Sequence, residues 1–295
     1  MNKLDEVYYN LSKEIKVKII GKVIFDKKSE FQHIQIIDTE KNRYLLLDSI
    51  VQLSRNDEYI YHESLVHPAL LAAKSKNNVL IIGGGDGGSL REVLKYPVKK
   101  VTLCELDEEM IKISKKFFPE LSNGSFDDPR VEIVYEDGRR FLENSKEKYD
   151  VIILDLTDPS GPSKFLFTQE FYSLVSKSLK EGGVVSLDAD TPDYWGKFPY
   201  IFKTISTVFK NKYPYTVYIP SFMIRIGMIV CSNYDISFMK DEKFVEKEIK
   251  KNNLNLNYFT PRELANLFKI EKNINDLLKY EYKISTDKNP IEIDI

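Results

Sequence analysis

The chain has 295 residues, of which 42% are hydrophobic and 30% charged, and its formal net charge is −2 at pH 7. These values are ordinary for a globular protein and allow one large domain or two smaller ones. Lysines and acids are interspersed without a basic stripe, which argues against a nucleic-acid-binding protein and leaves a small molecule as the expected partner.

Cysteine and histidine are scarce in this chain. Cys104 and Cys231 both lie in apolar, strand-like runs, which predicts buried reduced thiols and a cytoplasmic location. No Cys/His cluster has the spacing of metal ligands, so no metal is expected. No segment reaches the roughly 18 apolar residues of a membrane span, and the first residues lack a secretory pattern, so no membrane association is expected.

The first sixty residues alternate between apolar and polar side chains, as in KVKIIGKVIFDKK. This period of two predicts short strands, and we expect a small antiparallel β domain over residues 1–60. The stretch DEYIYHESLVHPALLAAKSK, which starts at Asp57, has apolar residues at helical spacing. It predicts the helix that leads into a second domain over residues 61–295.

From Asn77 onward, apolar strands alternate with amphipathic helices, which predicts an α/β fold with a parallel, doubly wound sheet. The strand in NVLIIGGGDGG breaks into glycines, and the following SLREVLKY predicts a helix with Ser89 as its cap. Near the end, TVYIPSFMIRIGMIVCS predicts a closing hairpin. TPRELANLF predicts a later helix with Thr260 as its cap.

Acidic residues follow each of five predicted strands of this sheet. They are Asp86, Glu105 and Asp107, Asp137, Asp155 and Asp158, and Asp188 and Asp190. An Asp after a strand is usually a turn former or helix cap, and this reading stays open for Asp188 and Asp190. Ligands of open α/β sheets nevertheless bind at the carboxyl ends of the strands. Because like charges in one cleft repel, five such positions predict a multiply cationic ligand.

The GGGDGG loop further restricts the class of ligand that the cleft can bind. Glu105 follows Asp86 by nineteen residues, close to the offset of a carboxylate that binds ribose hydroxyls. Asp86 itself would repel a pyrophosphate or a carboxylate held at the start of the next helix. The loop therefore favours a nucleoside with a positive side chain that lacks a carboxylate.

Several motifs resemble, in order and spacing, those of the spermidine synthase family, the polyamine aminopropyltransferases. They are SEFQHI, DEYIYHESLVHPALL, LIIGGGDGG, CELDEEMI, EDGRRFL and DLTDPSGP…LFTQEFY, within about Ile19 to Ser232. The resemblance implies a β domain followed by a methyltransferase-like Rossmann domain. It also implies transfer of aminopropyl from decarboxylated S-adenosylmethionine, a co-substrate, to a polyamine, with release of methylthioadenosine and no metal or redox cofactor.

The resemblance also assigns site residues. It implies that the donor is bound by Gln32, His62, Asp86, Glu105, Asp137 and Gly138. It implies that Asp155 is the catalytic proton acceptor, that Asp158 holds the same nitrogen, and that Tyr61 lies beside them. The Pro/Gly-rich loop after Asp158 resembles the family's gate over the active site. For His67 we expect packing within the helix rather than a functional contact.

The sequence departs from putrescine-specific relatives at the acceptor side. Those relatives have DSSDP or DSTDP where this chain has DLTDP, and a substrate-contacting tyrosine is common where Phe222 stands. These differences favour agmatine or a longer polyamine such as spermidine, whose distant amines Asp188 and Asp190 could meet. Relatives are usually dimers or tetramers, which implies a homodimer or homotetramer here.

Three other functions stay open at this point. A methyltransferase that uses intact S-adenosylmethionine has the same fold but would prefer no acid at Asp86. A non-catalytic polyamine-binding protein would not require both Asp155 and Asp158. An NAD-binding oxidoreductase fits GGGDGG poorly, since no hydride-transfer residues accompany the loop.

Overall fold

The computed structural model describes residues 4–293, which form two β-sheets. In the first, five-stranded sheet each strand pairs antiparallel with the next. Its strands are β1 (Asp5–Asn10), β2 (Lys16–Lys28), β3 (His33–Asp38), β4 (Arg43–Leu47) and β5 (Ile50–Ser54). The antiparallel unit expected from the alternating pattern is therefore confirmed, because alternate side chains of a half-buried strand face opposite sides.

Helix α1 (Glu58–Ala72) leads from the first sheet to the second, as the spacing of its apolar residues predicted. It packs against several strands of the second sheet, and Leu65, Val66 and Leu70 are completely buried. A helix enclosed in this way is apolar on most of its surface. Its polar side chains therefore need partners inside the protein, and those of Tyr61 and His62 find them near the functional site.

The second sheet has seven strands in the order β11-β12-β10-β9-β6-β7-β8. The strands are β6 (Asn78–Gly83), β7 (Lys100–Glu105), β8 (Val131–Tyr135), β9 (Tyr149–Asp155), β10 (Leu179–Asp188), β11 (Asn211–Ile219) and β12 (Ile224–Ser232). The five from β6 to β10 are parallel, while β11 and β12 form the predicted antiparallel hairpin at one side. After β6 the chain adds β7 and β8 on one side of that strand, and then β9 and β10 on its other side. The strand order therefore reverses between β6 and β9, and a ligand site is expected at that point.

Helices cover both faces of the second sheet, which confirms the expected α/β, Rossmann-like, doubly wound fold. They are α2 (Gly88–Leu94), α3 (Glu108–Phe117), α4 (Pro119–Ser122), α5 (Gly138–Asn144), α6 (Gln169–Ser178), α7 (Phe198–Ile205), α8 (Glu242–Lys251), α9 (Pro261–Asn266) and α10 (Lys272–Leu277). Three 3-10 helices lie at Ser125–Asp127, Gly161–Phe167 and Ser237–Lys240. Within residues 4–293 no helix has both the length and the apolar character needed to cross a membrane.

The hydrophobic core is divided by the second sheet. Val79 and Ile81 of β6 belong to the cluster on one face, and Leu80 and Ile82 belong to the cluster on the other. This division follows from the period of two in a strand, and the nearly continuous apolar run of β6 is typical of a parallel strand buried on both faces.

One predicted helix cap is confirmed and another is wrong. Thr260 accepts a hydrogen bond from Glu263 N, and the Glu263 side chain accepts one from Thr260 N. Ser89, by contrast, lies inside α2, and the residue before the helix is Gly87 with φ of +85°. A side chain at Gly87 would also collide with Phe126, so glycine rather than a capping hydroxyl precedes this helix.

Candidate active site

A cavity of about 250 Å³ lies at the carboxyl ends of the parallel strands, and residues of the first sheet enclose part of it. Eleven of the twelve predicted site residues line it: Gln32, Tyr61, Asp86, Glu105, Asp137, Gly138, Asp155, Asp158, Asp188, Asp190 and Phe222. The twelfth, His62, is not among the lining residues. The fold therefore gathers the strand-end carboxylates in one place, as their common position at one sheet edge indicated.

The glycine loop after β6 touches the end of β9 through backbone atoms. Gly83 and Gly84 have φ of +79° and +70°, and Gly84 N donates a hydrogen bond to Asp155 O at 3.0 Å. A Cβ atom at Gly83 would lie 2.0 Å from that same carbonyl oxygen. Because no side chain separates the loop from the strand, Asp86 and Asp155 lie at the same end of the cavity.

Asp155 is held in a defined orientation at the end of β9. Its side chain is 9% exposed, and the Tyr61 hydroxyl donates a hydrogen bond to Oδ1 at 2.9 Å. Oδ2 is buried and makes no hydrogen bond within the described part of the chain. Burial and the nearby charge of Asp86 raise the pKa of Asp155 above its usual range. The arrangement therefore fixes the orientation of this carboxylate, and its burial favours the protonated form.

Three further carboxylates, those of Asp158, Asp188 and Asp190, line the same cavity. Burial raises the pKa of Asp158 to about 6 and also raises that of Asp188. Burial, reinforced by the charge of Asp158, raises the pKa of Asp190 to about 7. Burial disfavours the charged form of all three groups, and the charge of Asp158 adds to this effect at Asp188 and Asp190. A bound cation would stabilise their ionised forms.

Asp190 has a structural role as well. It lies in the left-handed region with φ of +64°, and its carboxylate accepts hydrogen bonds from Thr191 N and Lys197 N. The Asp188 side chain accepts one from Asp190 N at 2.8 Å. Both side chains therefore stabilise the turn after β10 rather than cap a helix, and both also line the cavity.

Close packing around Glu105 and Gly138 shapes another part of the cavity. Glu105 accepts a hydrogen bond from Asp107 N at 2.9 Å, and burial raises its pKa to about 7. A Cβ atom at Gly138 would lie 2.2 Å from Ile82 Cγ2, so only glycine fits between α5 and β6. Asp137 caps α5 by accepting a hydrogen bond from Arg140 N, as an acid after a strand commonly does.

His62 lies behind Asp86 rather than in the cavity. Its Nδ1 is 2.7 Å from Glu58 Oε2, its Nε2 is 3.2 Å from Asp86 Oδ2, and Arg91 binds Glu58 through both terminal nitrogens. Both ring nitrogens face carboxylates, which favours the imidazolium form. Burial alone would lower the pKa of His62 and raise that of Asp86, but their mutual attraction reverses both directions.

The geometry therefore does not support a direct contact between His62 and a bound donor. His62 instead favours the ionised form of Asp86. His67, one turn further along α1, is completely buried and lies 2.8 Å from both Tyr96 Oη and Glu92 Oε2. His67 is therefore buried, but hydrogen bonds to Tyr96 and Glu92 hold it there, rather than the packing on the helix face that was expected.

Several cavity residues were not identified from the sequence. They are Tyr9, Asn10, Leu11, Ser12, Gln52, Trp195 and Ile293. They come from turns, from the first sheet and from the C-terminal segment, and no local motif marks them. Only the long-range arrangement of the two sheets brings them to the cavity.

The loop after Asp158, here called the gate loop (residues 159–167), contains the 3-10 helix Gly161–Phe167. Pro162, Ser163 and Leu166 line the cavity. Ser163 Oγ donates hydrogen bonds to Asp158 O and Ser160 O, so the polar contacts within the loop are local. The position of the loop agrees with a covering role, which stays a prediction.

Comparison with known proteins identifies similar sequences over nearly the whole chain. Residues 58–241 match the family model described as the spermine/spermidine synthase domain. A polyamine aminopropyltransferase of Korarchaeum cryptofilum is 38% identical over 281 residues, covering 94% of this chain and 88% of the relative. One of Bacillus subtilis is 35% identical over 268 residues, covering 88% of this chain and 93% of the relative.

Solved structures of spermidine synthases are also similar to this chain over nearly its whole length. A spermidine synthase crystallised in complex with the transition-state analogue AdoDATO superposes with a TM-score of 0.86 at 33% identity, covering 94% of this chain and 95% of that one. The spermidine synthase of Thermotoga maritima superposes with a TM-score of 0.83 at 31% identity and the same coverage.

Proposed function

This chain belongs to the spermine/spermidine synthase family and is an aminopropyltransferase, and we propose that it moves the aminopropyl group of decarboxylated S-adenosylmethionine onto a polyamine and releases methylthioadenosine. The observation that carries the proposal is the set of carboxylates around one cavity, among them the buried Glu105, Asp155 and Asp190. A neutral ligand would leave their repulsion uncompensated, whereas both proposed substrates are cations. The fold alone would not separate this activity from methyl transfer.

We propose that Asp86 selects the donor. Its carboxylate is kept ionised by His62, and Gly88 N donates to its other oxygen at 2.7 Å. An ammonium group of the decarboxylated donor would be attracted to this charge, while the carboxylate of intact S-adenosylmethionine would be repelled. Glu105, Asp137 and Gly138 would hold the nucleoside, with Glu105 on the ribose hydroxyls.

Asp155 is proposed to deprotonate the acceptor. A polyamine nitrogen is protonated below roughly pH 10 and then has no lone pair with which to attack carbon. The Asp155 carboxylate would accept the proton, while Tyr61 fixes its orientation and Asp158 holds the same nitrogen. Burial favours this transfer, since it raises the carboxylate pKa and lowers that of the amine.

The transfer itself is a single displacement. The freed nitrogen lone pair forms a bond to the methylene carbon next to the sulfonium, and the carbon–sulfur bond breaks. Sulfur keeps that electron pair and leaves as the neutral thioether of methylthioadenosine. The protein contributes positioning and electrostatics, and we propose that no metal or redox cofactor takes part.

The direct test is a product assay by mass spectrometry with the decarboxylated donor and a panel of amines. We expect an amine lengthened by one aminopropyl group, together with an equal amount of methylthioadenosine. Methylation of an acceptor by intact S-adenosylmethionine would instead support the methyltransferase. Polyamine binding without any release of methylthioadenosine would support a non-catalytic binding protein.

We propose that agmatine or a longer polyamine such as spermidine is preferred over putrescine. Phe222 lines the acceptor side and has no hydroxyl for an acceptor amine, while Asp188 and Asp190 extend the negative surface beyond Asp158. The kcat/KM for agmatine or spermidine is expected to exceed that for putrescine by at least about tenfold, since a second or third cationic group would gain a carboxylate partner. Turnover with the three amines measures this, and equal or better use of putrescine would contradict it.

Activity is expected to fall as the pH is lowered through 7 and 6. Cations bind the ionised forms of these carboxylates. The pKa of Asp158 is raised to about 6 and that of Asp190 to about 7, so both groups take up protons at a higher pH than an exposed aspartate does. Below these values the sites are neutral, so kcat/KM for the acceptor should drop about tenfold or more between pH 8 and 5. Initial rates with saturating donor measure the profile. A flat profile down to pH 5 would contradict the burial of these charges.

The homodimeric or homotetrameric state and the cytoplasmic location implied by the sequence stay predictions. Sedimentation of the purified chain would measure the first, and microscopy of a tagged chain in its own cells would measure the second.

A further inference from the structure

The C-terminal segment runs back across the molecule to the mouth of the cavity. We call residues 285–293 the C-terminal strap. Its first residue is completely buried, and Ser285 O accepts a hydrogen bond from Gln169 N at the start of α6. Ser285 Oγ accepts another from Ile291 N, and Ile291, only 7% exposed, packs in the same core cluster as Phe167. The strap is therefore anchored in the core beside the end of the gate loop.

On one side the strap is tied to the donor end of the cavity. Asp287 accepts hydrogen bonds from both terminal nitrogens of Arg139, at 2.7 and 2.6 Å, and one from Thr168 Oγ1 at 2.8 Å. Arg139 directly follows Gly138, which lines the donor side. A bidentate arginine–carboxylate pair fixes geometry as well as distance, so the strap has a defined position relative to α5.

On the other side the strap contacts the gate loop at three points. Glu292 accepts hydrogen bonds from Gly161 N at 3.2 Å and from Lys164 Nζ at 2.9 Å. Ile293 N donates to Pro159 O at 2.9 Å, and Ile293 itself lines the cavity. Because the loop's internal hydrogen bonds are local, they set its shape, whereas these contacts set its position over the cavity.

We propose that the C-terminal strap is part of the active-site wall and that Glu292 is a positioning residue that holds the gate loop over the bound donor. The inference rests on the proposed aminopropyl transfer for its kinetic consequence, but the contacts between strap and loop can be tested without turnover. A loop kept near its closed position excludes water and loses less conformational freedom when the donor binds. Glu292 would then act on donor affinity more than on the chemical step.

The test compares Glu292→Ala with a matched control, Glu281→Ala. Glu281 also forms an ion pair near the C-terminus, with Lys203 at 3.0 Å, but neither partner lines the cavity or touches the gate loop. Affinity for methylthioadenosine can be followed by the fluorescence of Trp195, the single tryptophan, which lines the cavity. Tryptic cleavage after Lys164 reports the exposure of the gate loop.

We expect Glu292→Ala to raise the KM for the donor and the Kd for methylthioadenosine about three- to tenfold, to leave kcat within about twofold, and to speed cleavage after Lys164. Glu281→Ala should leave all four values unchanged. Glu292→Gln, which keeps an oxygen for Gly161 N but loses the charge facing Lys164, should fall between the two.

A Glu292→Ala protein with wild-type KM, Kd and cleavage rate would overturn the proposal. Equal changes in both alanine variants, or a lower melting temperature alone, would also overturn it, since they indicate a general effect on stability. If the wild-type chain made no product with any amine, the proposed function would fail, yet the Kd and cleavage comparisons would still decide the role of the strap.

Discussion

Replacement of Asp155 by asparagine is expected to lower kcat by roughly 10²–10⁴-fold, the loss typical of removing a general base. Asparagine has nearly the same shape, and its carbonyl oxygen can still accept the hydrogen bond from Tyr61. It cannot take a proton from an ammonium group at neutral pH, so the acceptor would stay bound but unreactive. The rate of methylthioadenosine release at saturating donor and acceptor measures the effect.

Asp150 provides a matched control for this substitution. It lies at the other end of the same strand, β9, is 4% exposed, and binds Asn78 N at 2.7 Å and Lys180 Nζ at 3.0 Å. Asp150→Asn therefore removes a buried charge from β9 without altering the cavity, and should lower stability but not kcat. Near-normal turnover in Asp155→Asn, or an equal loss in both variants, would show that the proton acceptor is a different group.

Replacement of Asp86 by asparagine is expected to weaken binding of the decarboxylated donor by about 10²–10³-fold, since it removes one partner of a buried charge pair. The same change should bring the affinities for decarboxylated and intact S-adenosylmethionine much closer together, because the repulsion of the intact donor's carboxylate is lost. Dissociation constants for the two donors, measured with each protein by calorimetry, give the ratio directly.

For Asp86→Asn the control is Asp128→Asn. Asp128 binds Arg130 before the start of β8, at the opposite edge of the sheet from the cavity, so its loss should leave both donor affinities unchanged. If Asp86→Asn kept a strong preference for the decarboxylated donor, donor selection would have to come from another residue.

The parts of the site that the sequence predicted are those set by local pattern. Asp155 follows an apolar run, and Asp86 interrupts a row of glycines; both features are visible within ten residues. The parallel sheet then brings such strand ends together regardless of loop details. This is why the predicted strand-end acids from Asp86 to Asp190 line one cavity. Gln32, Tyr61 and Phe222 lie outside these strand ends, and only the family resemblance pointed to them.

The parts that the sequence did not predict depend on contacts between distant segments. Trp195, Gln52 and the C-terminal strap reach the cavity only because the two sheets and the last residues fold around it. The case of His62 is different, since it adjoins Tyr61 on α1. Successive helical residues point about 100° apart, and here Tyr61 lines the cavity while His62 lies behind Asp86. The sequence alone does not say which of the two lines the cavity.

The contact between Gly83 and Asp155 O has a consequence for redesign. Close main-chain packing sets the distance between the glycine loop and Asp155. Side chains around the acceptor, such as Phe222, could therefore be exchanged to suit another amine while the spacing of the two reacting partners stayed the same. A larger residue at position 83 would instead change that spacing and lower the activity with every amine.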